Sequence, residues 1–184
     1  MIRGDSTDYE LLDKWTKNFN CNGYKTCEIG VREGLGSKII IDNTINSYLH
    51  VGVDPYGNLE YQHYDNTGAY TCDYTDEMRD TMLNDFKPYR NQGKFTLCNM
   101  TDTQFMNDTE HRHSTFAFVH FDGPHMTKDV MTEAVWFANR SESGARFVFD
   151  DYPKYEMPII ENVLMLYDFK KIDEGKNKCL LEKQ

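Results

Sequence analysis

Short apolar runs alternate with amphipathic segments along most of this chain, and this alternation limits its fold more than any other feature. We predict strands where apolar residues cluster between polar turns, at 26–31, 48–53, 94–98, 115–121 and 145–149. We predict helices where apolar residues recur at helical spacing, at 8–19, 37–47, 75–86, 127–139 and 158–167. Ser37 and Thr75 are the expected N-caps of two of them. The runs 169–172 and 178–181 flank a turn at Gly175 and predict a terminal hairpin.

Strands that alternate with helices imply a parallel sheet wound by right-handed crossovers. The predicted fold class is therefore α/β: a Rossmann-like three-layer α/β/α sandwich with a mostly parallel seven-stranded sheet and a C-terminal antiparallel hairpin. A length of 184 residues suits one domain, 1–184. Within it we expect an N-terminal helical segment, 1–23, and a Rossmann-like core, 24–184. Residues 56–74 form a polar, aromatic insert that fits neither periodicity.

Charge and composition narrow the class of protein. The formal net charge is −10, and an acidic surface repels phosphate groups, so we expect neither a nucleic acid nor an anionic membrane as partner. No apolar run approaches the ~20 residues of a membrane span, and the N-terminus lacks the apolar region of a signal peptide. The five cysteines are scattered and include no CxxC pair, as in proteins with reduced thiols. A cytoplasmic location is the resulting expectation.

Carboxylates follow most of the predicted strands. Asp54 follows the second strand, Asp102 the third, Asp122 the fourth, and Asp150 with Asp151 the fifth. In open α/β sheets, ligands bind outside the carboxyl ends of the strands. The sequence therefore predicts an acidic ligand site at that edge of the sheet.

A glycine turn follows the first predicted strand. Gly30, Gly34 and Gly36 allow a tight turn and a close approach of a ligand to the backbone before a helix N-terminus. Asp54 lies 24 residues after Gly30, near the spacing at which an acid accepts hydrogen bonds from ribose hydroxyls. The pair favours a ribose-containing cofactor over a turn that only ends a strand. The spacing is not GxGxxG, which disfavours a nicotinamide cofactor.

The same residues resemble a known family. The run Glu28-Ile-Gly-Val-Arg-Glu-Gly is similar to the first motif of class I S-adenosylmethionine (SAM)-dependent methyltransferases, above all the macrocin/TylF-type O-methyltransferases. Later motifs follow in the family's order, at Val-Gly-Val-Asp54-Pro-Tyr, Asp122-Gly-Pro-His125 and Val-Phe-Asp150-Asp151-Tyr. The resemblance spans about residues 24–155, and the ordered set is more specific than any one motif.

Two cofactor contacts on the first strands are implied by this resemblance. Gly30 and the turn that continues through Gly34 would pack against the methionine portion of SAM, with Glu28 near its amino group. Asp54 would hold the ribose hydroxyls.

The resemblance also implies contacts at the third and fourth strands. Asp102 would lie near the adenine amino group, in a pocket lined by Met100 or Thr101. Asp122 would face the transferring methyl group and the acceptor.

Metal-dependent members of this branch bind a divalent ion through carboxylates after strands four and five, which are Asp122, Asp150 and Asp151 here. Oxygen ligands suit Mg²⁺, which would lower the pKa of an acceptor hydroxyl. Asp122 and His125 are then the candidate catalytic residues, with His125 as general base. The alternatives are a solvated strand end at Asp150–Asp151 and a helix-capping role for His125.

Other titratable residues suggest structural roles. His120 lies within a strand and is expected to be a hydrogen-bonded interior residue, whereas His111 and His113 are expected in a solvated turn. The C-terminal hairpin is expected to be solvated, with its lysines balanced by acids; they are Lys170, Lys171, Lys176, Lys178 and Lys183.

The predicted function is methyl transfer from SAM to a hydroxyl of a small acceptor such as a sugar or phenolic metabolite. The acceptor pocket would come from the N-terminal helix, the insert 56–74 and the segment 103–113, or from a second subunit in a homodimer. Two alternatives stay open: another SAM-using enzyme on this fold, and a SAM-binding module without catalysis that senses the cofactor or assists a partner.

Overall fold

The computed structural model describes residues 2–4, 6–57 and 59–184. Its strands, in chain order, are β1 (Lys25–Ile29), β2 (His50–Val53), β3 (Glu60–Gln62), β4 (Ala69–Thr71), β5 (Phe95–Cys98), β6 (Phe116–Phe121), β7 (Arg146–Phe149), β8 (Phe169–Glu174) and β9 (Cys179–Lys183). Its helices are α1 (Tyr9–Thr16), α2 (Leu35–Asn43), α3 (Asp76–Asp85), α4 (Lys87–Asn91), α5 (Asp102–Asn107), α6 (Thr127–Ala138) and α7 (Met157–Leu164).

Seven of the described strands form one sheet in the order β5-β2-β1-β6-β7-β9-β8. Strands β5, β2, β1, β6 and β7 pair in parallel, and β9 pairs antiparallel with both β7 and β8. The predicted fold class, including the C-terminal antiparallel hairpin, is confirmed. The chain order reverses direction between β1 and β6, so the switch point of the sheet lies at the carboxyl ends of these two strands.

Both faces of the sheet are covered by apolar side chains. Side chains alternate between the two faces along each strand, so a strand that is apolar throughout packs on both sides. On β7, Phe147 and Phe149 belong to the larger core cluster, which also contains residues of α6 and α7. Val148, between them, packs in a second cluster with Leu12 of α1 and Ile40 of α2. This arrangement gives the three layers that the sequence predicts. None of the described helices has the length and apolar character that a membrane span requires.

The insert between β2 and α3 folds in a way that the sequence pattern does not indicate. Strands β3 and β4 form a separate two-stranded antiparallel sheet, with Tyr61 opposite Tyr70. The hairpin is tied to the loop after β6, since the backbone N–H of His125 donates to the carbonyl of His63 over 2.7 Å. Its strands are mostly exposed, so they show little of the apolar alternation by which strands are recognised.

One expected N-cap is wrong. Helix α2 begins at Leu35, with Gly34 as its N-cap, and Ser37 is buried inside the first turn. The left-handed backbone of Gly34 (φ 90°) starts the helix earlier than a side-chain cap would. Thr75, by contrast, caps α3 as predicted, because its side chain accepts a hydrogen bond from the backbone N–H of Met78 over 3.1 Å.

Replacing Thr75 with alanine removes this cap. We expect the free energy of unfolding to fall by about 1 kcal/mol, the usual cost of losing an N-cap. Urea denaturation followed by circular dichroism measures the change. Thr81→Ala, an exposed position within the same helix, is the matched control and should not destabilise the protein. Equal losses in the two variants would contradict a capping role.

Candidate functional site

Two adjoining cavities lie at the carboxyl ends of the parallel strands, where the sequence predicts the ligand site. Their volumes are about 350 and 440 Å³, within the range of small-molecule sites. Both are lined by Gly30 and Asp122, which follow β1 and β6. The site therefore lies at the switch point of the sheet.

The turn after β1 approaches the loop after β6 more closely than any side chain would permit. Gly30 has a φ of 84°, and a Cβ atom on it would lie 2.0 Å from the carbonyl oxygen of Asp122. At Gly36, a Cβ would lie 1.9 Å from the Oε1 atom of Glu28. Close approach to backbone thus requires glycine at position 30, whereas at position 36 the nearest atom belongs to the Glu28 side chain. Without a side chain, the backbone of Gly30 is accessible from both cavities.

Asp54 holds this turn in place. Its Oδ2 atom accepts hydrogen bonds from the backbone N–H groups of Val31 (3.0 Å) and Arg32 (2.9 Å), and its Oδ1 atom accepts one from Tyr56 (3.0 Å). Burial raises the pKa of Asp54, although these three hydrogen bonds act in the opposite direction. A carboxylate has about four acceptor positions, so capacity remains for a hydroxyl donor from the cavity.

The 350 Å³ cavity combines apolar walls with several carboxylates, among them Asp122. Asp54 and Asp102 line it, as does Thr101, whose side chain and backbone form a capping box with Gln104 at the start of α5. Its apolar lining includes Ile29, Val53, Pro55, Leu59 and Tyr61. Met100, the other predicted lining residue, packs against the main core and does not line the cavity.

The buried carboxyl group of Glu133 neighbours Asp102. Glu133 of α6 is 1% exposed, and burial together with the neighbouring Asp102 raises the pKa of its carboxyl well above the ordinary value. Burial and the neighbouring acid therefore favour the neutral form of Glu133, next to a carboxyl group that lines the cavity. No sequence signal indicates this pair, because Glu133 lies on a helix between polar and apolar positions.

The 440 Å³ cavity is lined by the remaining acidic residues of the prediction. Glu28, Asp122, Asp150 and Asp151 all reach it. Residues of the N-terminal segment close one side of it, namely Arg3, Gly4, Ser6, Thr7 and Tyr9. Aromatic residues of the insert line another side, namely His63, Tyr64, Tyr70 and Tyr74.

Glu28 is the start of a buried hydrogen-bonded chain across the sheet. Its Oε1 atom contacts Nδ1 of His120 at 2.8 Å, and its Oε2 atom accepts from Ser37. Ser37 in turn bonds to His50 (3.0 Å), whose other ring nitrogen contacts Thr26 (2.8 Å). His120 is thus the hydrogen-bonded interior residue that the sequence predicts. Burial lowers the pKa of His50 to about 3.

The carboxyl groups of Asp122 and Asp150 affect each other's pKa at the centre of the site. Burial and the charge of Asp150 raise the pKa of the Asp122 carboxyl well above its ordinary value. Burial acts to raise the pKa of Asp150 as well, but the hydrogen bond from Asp122 and the charge of Lys178 hold it below the ordinary value. Within this pair, a proton is therefore held more readily by Asp122 than by Asp150.

Lys178 and His111 correct two expectations for the polar segments. The sequence predicts Lys178 in a solvated hairpin, yet it is 0% exposed and its Nζ lies 2.7 Å from Asp150 Oδ2. The sequence predicts His111 in a solvated turn, yet it is 2% exposed and its Nε2 contacts Cys98 Sγ at 3.4 Å. Periodicity does not distinguish these residues from exposed ones, since their burial follows from how distant segments fold over the sheet.

The acidic residues predicted to bind Mg²⁺ already have partners. Asp150 accepts from Lys178, Ser6 and Asn177, and from the backbone of Asp151. Asp151 accepts from Tyr64 (2.7 Å) and Lys154 (2.9 Å). A Mg²⁺ ion needs oxygen ligands that are free to coordinate at ~2.0–2.1 Å. Both oxygens of Asp150 are engaged by these donors, so Asp150 as folded does not fit as a ligand of a divalent cation.

His125 is enclosed rather than exposed at the mouth of the site. It is 3% exposed, stacks against Tyr64 and Tyr155, and has no hydrogen-bond partner on either ring nitrogen among the described residues. Burial lowers its pKa to about 4, against the opposing charge of Asp151. The ring is therefore neutral at pH 7, which is the form that a general base requires. His125 lines the larger cavity, where a general base would be needed. Its assignment as that base stays a prediction.

Several solved structures with the same fold are described as methyltransferases. SMU.1697c from Streptococcus mutans, a putative methyltransferase solved with S-adenosylhomocysteine (SAH), has a TM-score of 0.61 at 9% identity, over 98% of this chain and 100% of that one. An O-methyltransferase from Bacillus cereus, also solved with SAH, has a TM-score of 0.59 at 10% identity, over 99% and 83%. An rRNA methylase from Streptococcus thermophilus has a TM-score of 0.58 at 10% identity, over 100% and 98%.

No protein-family model matches the chain, and neither does any curated protein. The chain shares its fold with these methyltransferases. At these identities the likeness establishes the fold alone, and the more specific resemblance to the macrocin/TylF-type branch stays a prediction.

Proposed function

We propose that this protein is a SAM-dependent methyltransferase that acts on a hydroxyl group of a small acceptor. The observation that carries the proposal is the placement of Gly30, Asp54 and Asp102 around one cavity at the switch point of the sheet, beside a second cavity that contains Asp122. Two adjoining compartments that share a glycine turn suit a cofactor and an acceptor that react with each other.

The smaller cavity has the chemistry that an adenosine group requires. Its apolar walls suit a flat base. The Asp102 carboxylate would accept a hydrogen bond from the exocyclic amino group of that base. Asp54 would accept from the ribose hydroxyls, and the backbone of the Gly30 turn would lie against the methionine portion. When bound, SAM supplies an electrophilic methyl group on a sulfonium ion.

The larger cavity would hold the acceptor. Its walls of tyrosine and histidine rings favour an apolar or aromatic acceptor body, and its acidic floor suits hydroxyl donors. The chain's net charge of −10 opposes a polyanionic acceptor such as RNA. The N-terminal segment and the hairpin β3–β4 limit access of water from two sides.

Calorimetric titration with SAH, SAM and NADH tests the cofactor assignment. We expect SAH and SAM to bind and NADH not to bind. In Asp54→Asn, which loses the charged acceptor, the affinity for SAH should fall about 10–100-fold, since hydrogen bonds to charged groups contribute ~1.5–3 kcal/mol.

Asp73→Asn changes an exposed carboxylate of the insert that lines neither cavity; it is the matched control and should bind SAH as the wild type does. Binding of NADH alone, or unchanged SAH affinity in Asp54→Asn, would contradict the proposal. A screen of hydroxylated acceptors with the wild type then separates an enzyme from a silent SAM-binding module. Catalysis is supported if the wild type forms a methylated product and His125→Ala forms none while still binding SAH.

A further inference from the structure

We infer that the ammonium group of Lys178 is the built-in cation of this site and takes the place that the sequence predicts for a divalent metal. Lys178 lies in the turn before β9, yet its side chain is completely buried at the carboxyl end of β7. The inference concerns the acidic floor of the proposed acceptor cavity, and in that respect it rests on the proposed function.

The contacts of Lys178 are those of a central counter-ion. Its Nζ atom lies 2.7 Å from Asp150 Oδ2, donates to Ser6 Oγ over 3.0 Å, and lies 3.5 Å from Nε2 of His120. These partners come from the end of β7, the N-terminal segment and β6. One charged group thus connects three segments that are far apart in the chain.

The same ammonium group also lies next to a second set of possible metal ligands, which consists of Glu28, His120 and Asp122. Glu28, His120 and Asp122 place one ligand atom each within 4.8 Å of one another. Glu28 and His120 are already bonded to each other, and the remaining nitrogen of His120 faces Lys178. The acidic groups at the centre of the site therefore lie one or two contacts from the ammonium group of Lys178.

Lys178 and a divalent cation would compete for the Asp150 carboxylate. Buried carboxylates require a positive partner, and at a few ångströms two cations in one weakly hydrated site repel strongly. With Lys178 present, Asp150 has its positive partner and has no need of a metal. Because Lys178 does not line the cavity, it is a positioning residue, which fixes Asp150 and, through Ser6, the N-terminal side of the cavity.

A titration with Mn²⁺ tests this inference and needs neither methyl donor nor acceptor. Binding is measured as the loss of the electron paramagnetic resonance signal of free Mn²⁺. The wild type should show no site tighter than ~1 mM, the weak end of carboxylate sites. Lys178→Ala leaves space and uncompensated acids, so we expect it to gain one Mn²⁺ site at least about tenfold tighter, which Asp150→Asn in the same chain removes. Lys176→Ala, an exposed lysine two residues away, should gain none.

Two results would overturn the inference. One is a wild-type Mn²⁺ site that Asp150→Asn abolishes, since the lysine would then not exclude a metal. The other is a folded Lys178→Ala variant without any gain of Mn²⁺ binding. If that variant does not fold, as judged by circular dichroism, the wild-type measurement alone decides. SAH titration of the wild type reports separately on the proposed function, so failure of one proposal is distinguishable from failure of the other.

Discussion

Gly30→Ala is expected to abolish SAH binding, with a loss of affinity of at least ~100-fold, equivalent to about 2.7 kcal/mol. The added Cβ atom would meet the backbone carbonyl oxygen of Asp122 at 2.0 Å. The position of a Cβ atom is fixed by its own backbone, so no side-chain rotation relieves this contact. The ends of β1 and β6 must then separate. Both cavities share this turn, so the change distorts the whole proposed cofactor site.

The same substitution also tests stability. A side chain at a φ of 84° costs ~1–2 kcal/mol by itself, and the clash adds to this cost. Gly144→Ala is a matched control, because its φ is 85° and nothing lies within 4 Å of its added Cβ. We expect Gly144→Ala to lose only the backbone part in urea denaturation and to bind SAH normally. If the two variants behave alike, close approach at Gly30 is not what the glycine provides.

Lys178→Met is expected to lower the free energy of unfolding by about 3–5 kcal/mol, the usual cost of leaving one buried charge without its partner. Methionine keeps much of the volume of the lysine, so the loss reports mainly on charge. Asp150, which is 1% exposed, would then remain ionised without a cation or would take up a proton. Urea denaturation at pH 7 measures the change.

A double substitution separates charge from packing at this position. Lys178→Met with Asp150→Asn removes both charges, and we expect it to be clearly more stable than Lys178→Met alone. Lys176→Met, which changes an exposed lysine in the same turn, should cost little. If the double variant is as unstable as the single one, the lysine contributes by packing and its ion pair with Asp150 is not the cause.

The predicted strands and the strand-end acids are recognisable from sequence for a simple reason. A central strand buried on both faces must be apolar along its length, and a turn must follow it, so the positions of Asp54, Asp102, Asp122 and Asp150 at the sheet edge follow from local pattern. The hairpin β3–β4 is not recognisable because its strands are exposed and it is held by contacts with the loop at His125.

The α/β class, the edge of the sheet with the candidate site, and the glycine turn next to Asp54 are predictable because they depend on residues that are close in the chain. Which charges meet depends on contacts between distant segments. Lys178 lies among hairpin lysines of which most are exposed, and it becomes the partner of Asp150 only when β9 inserts beside β7. Burial and electrostatic pairing depend on such long-range contacts, which no local pattern of residue types encodes.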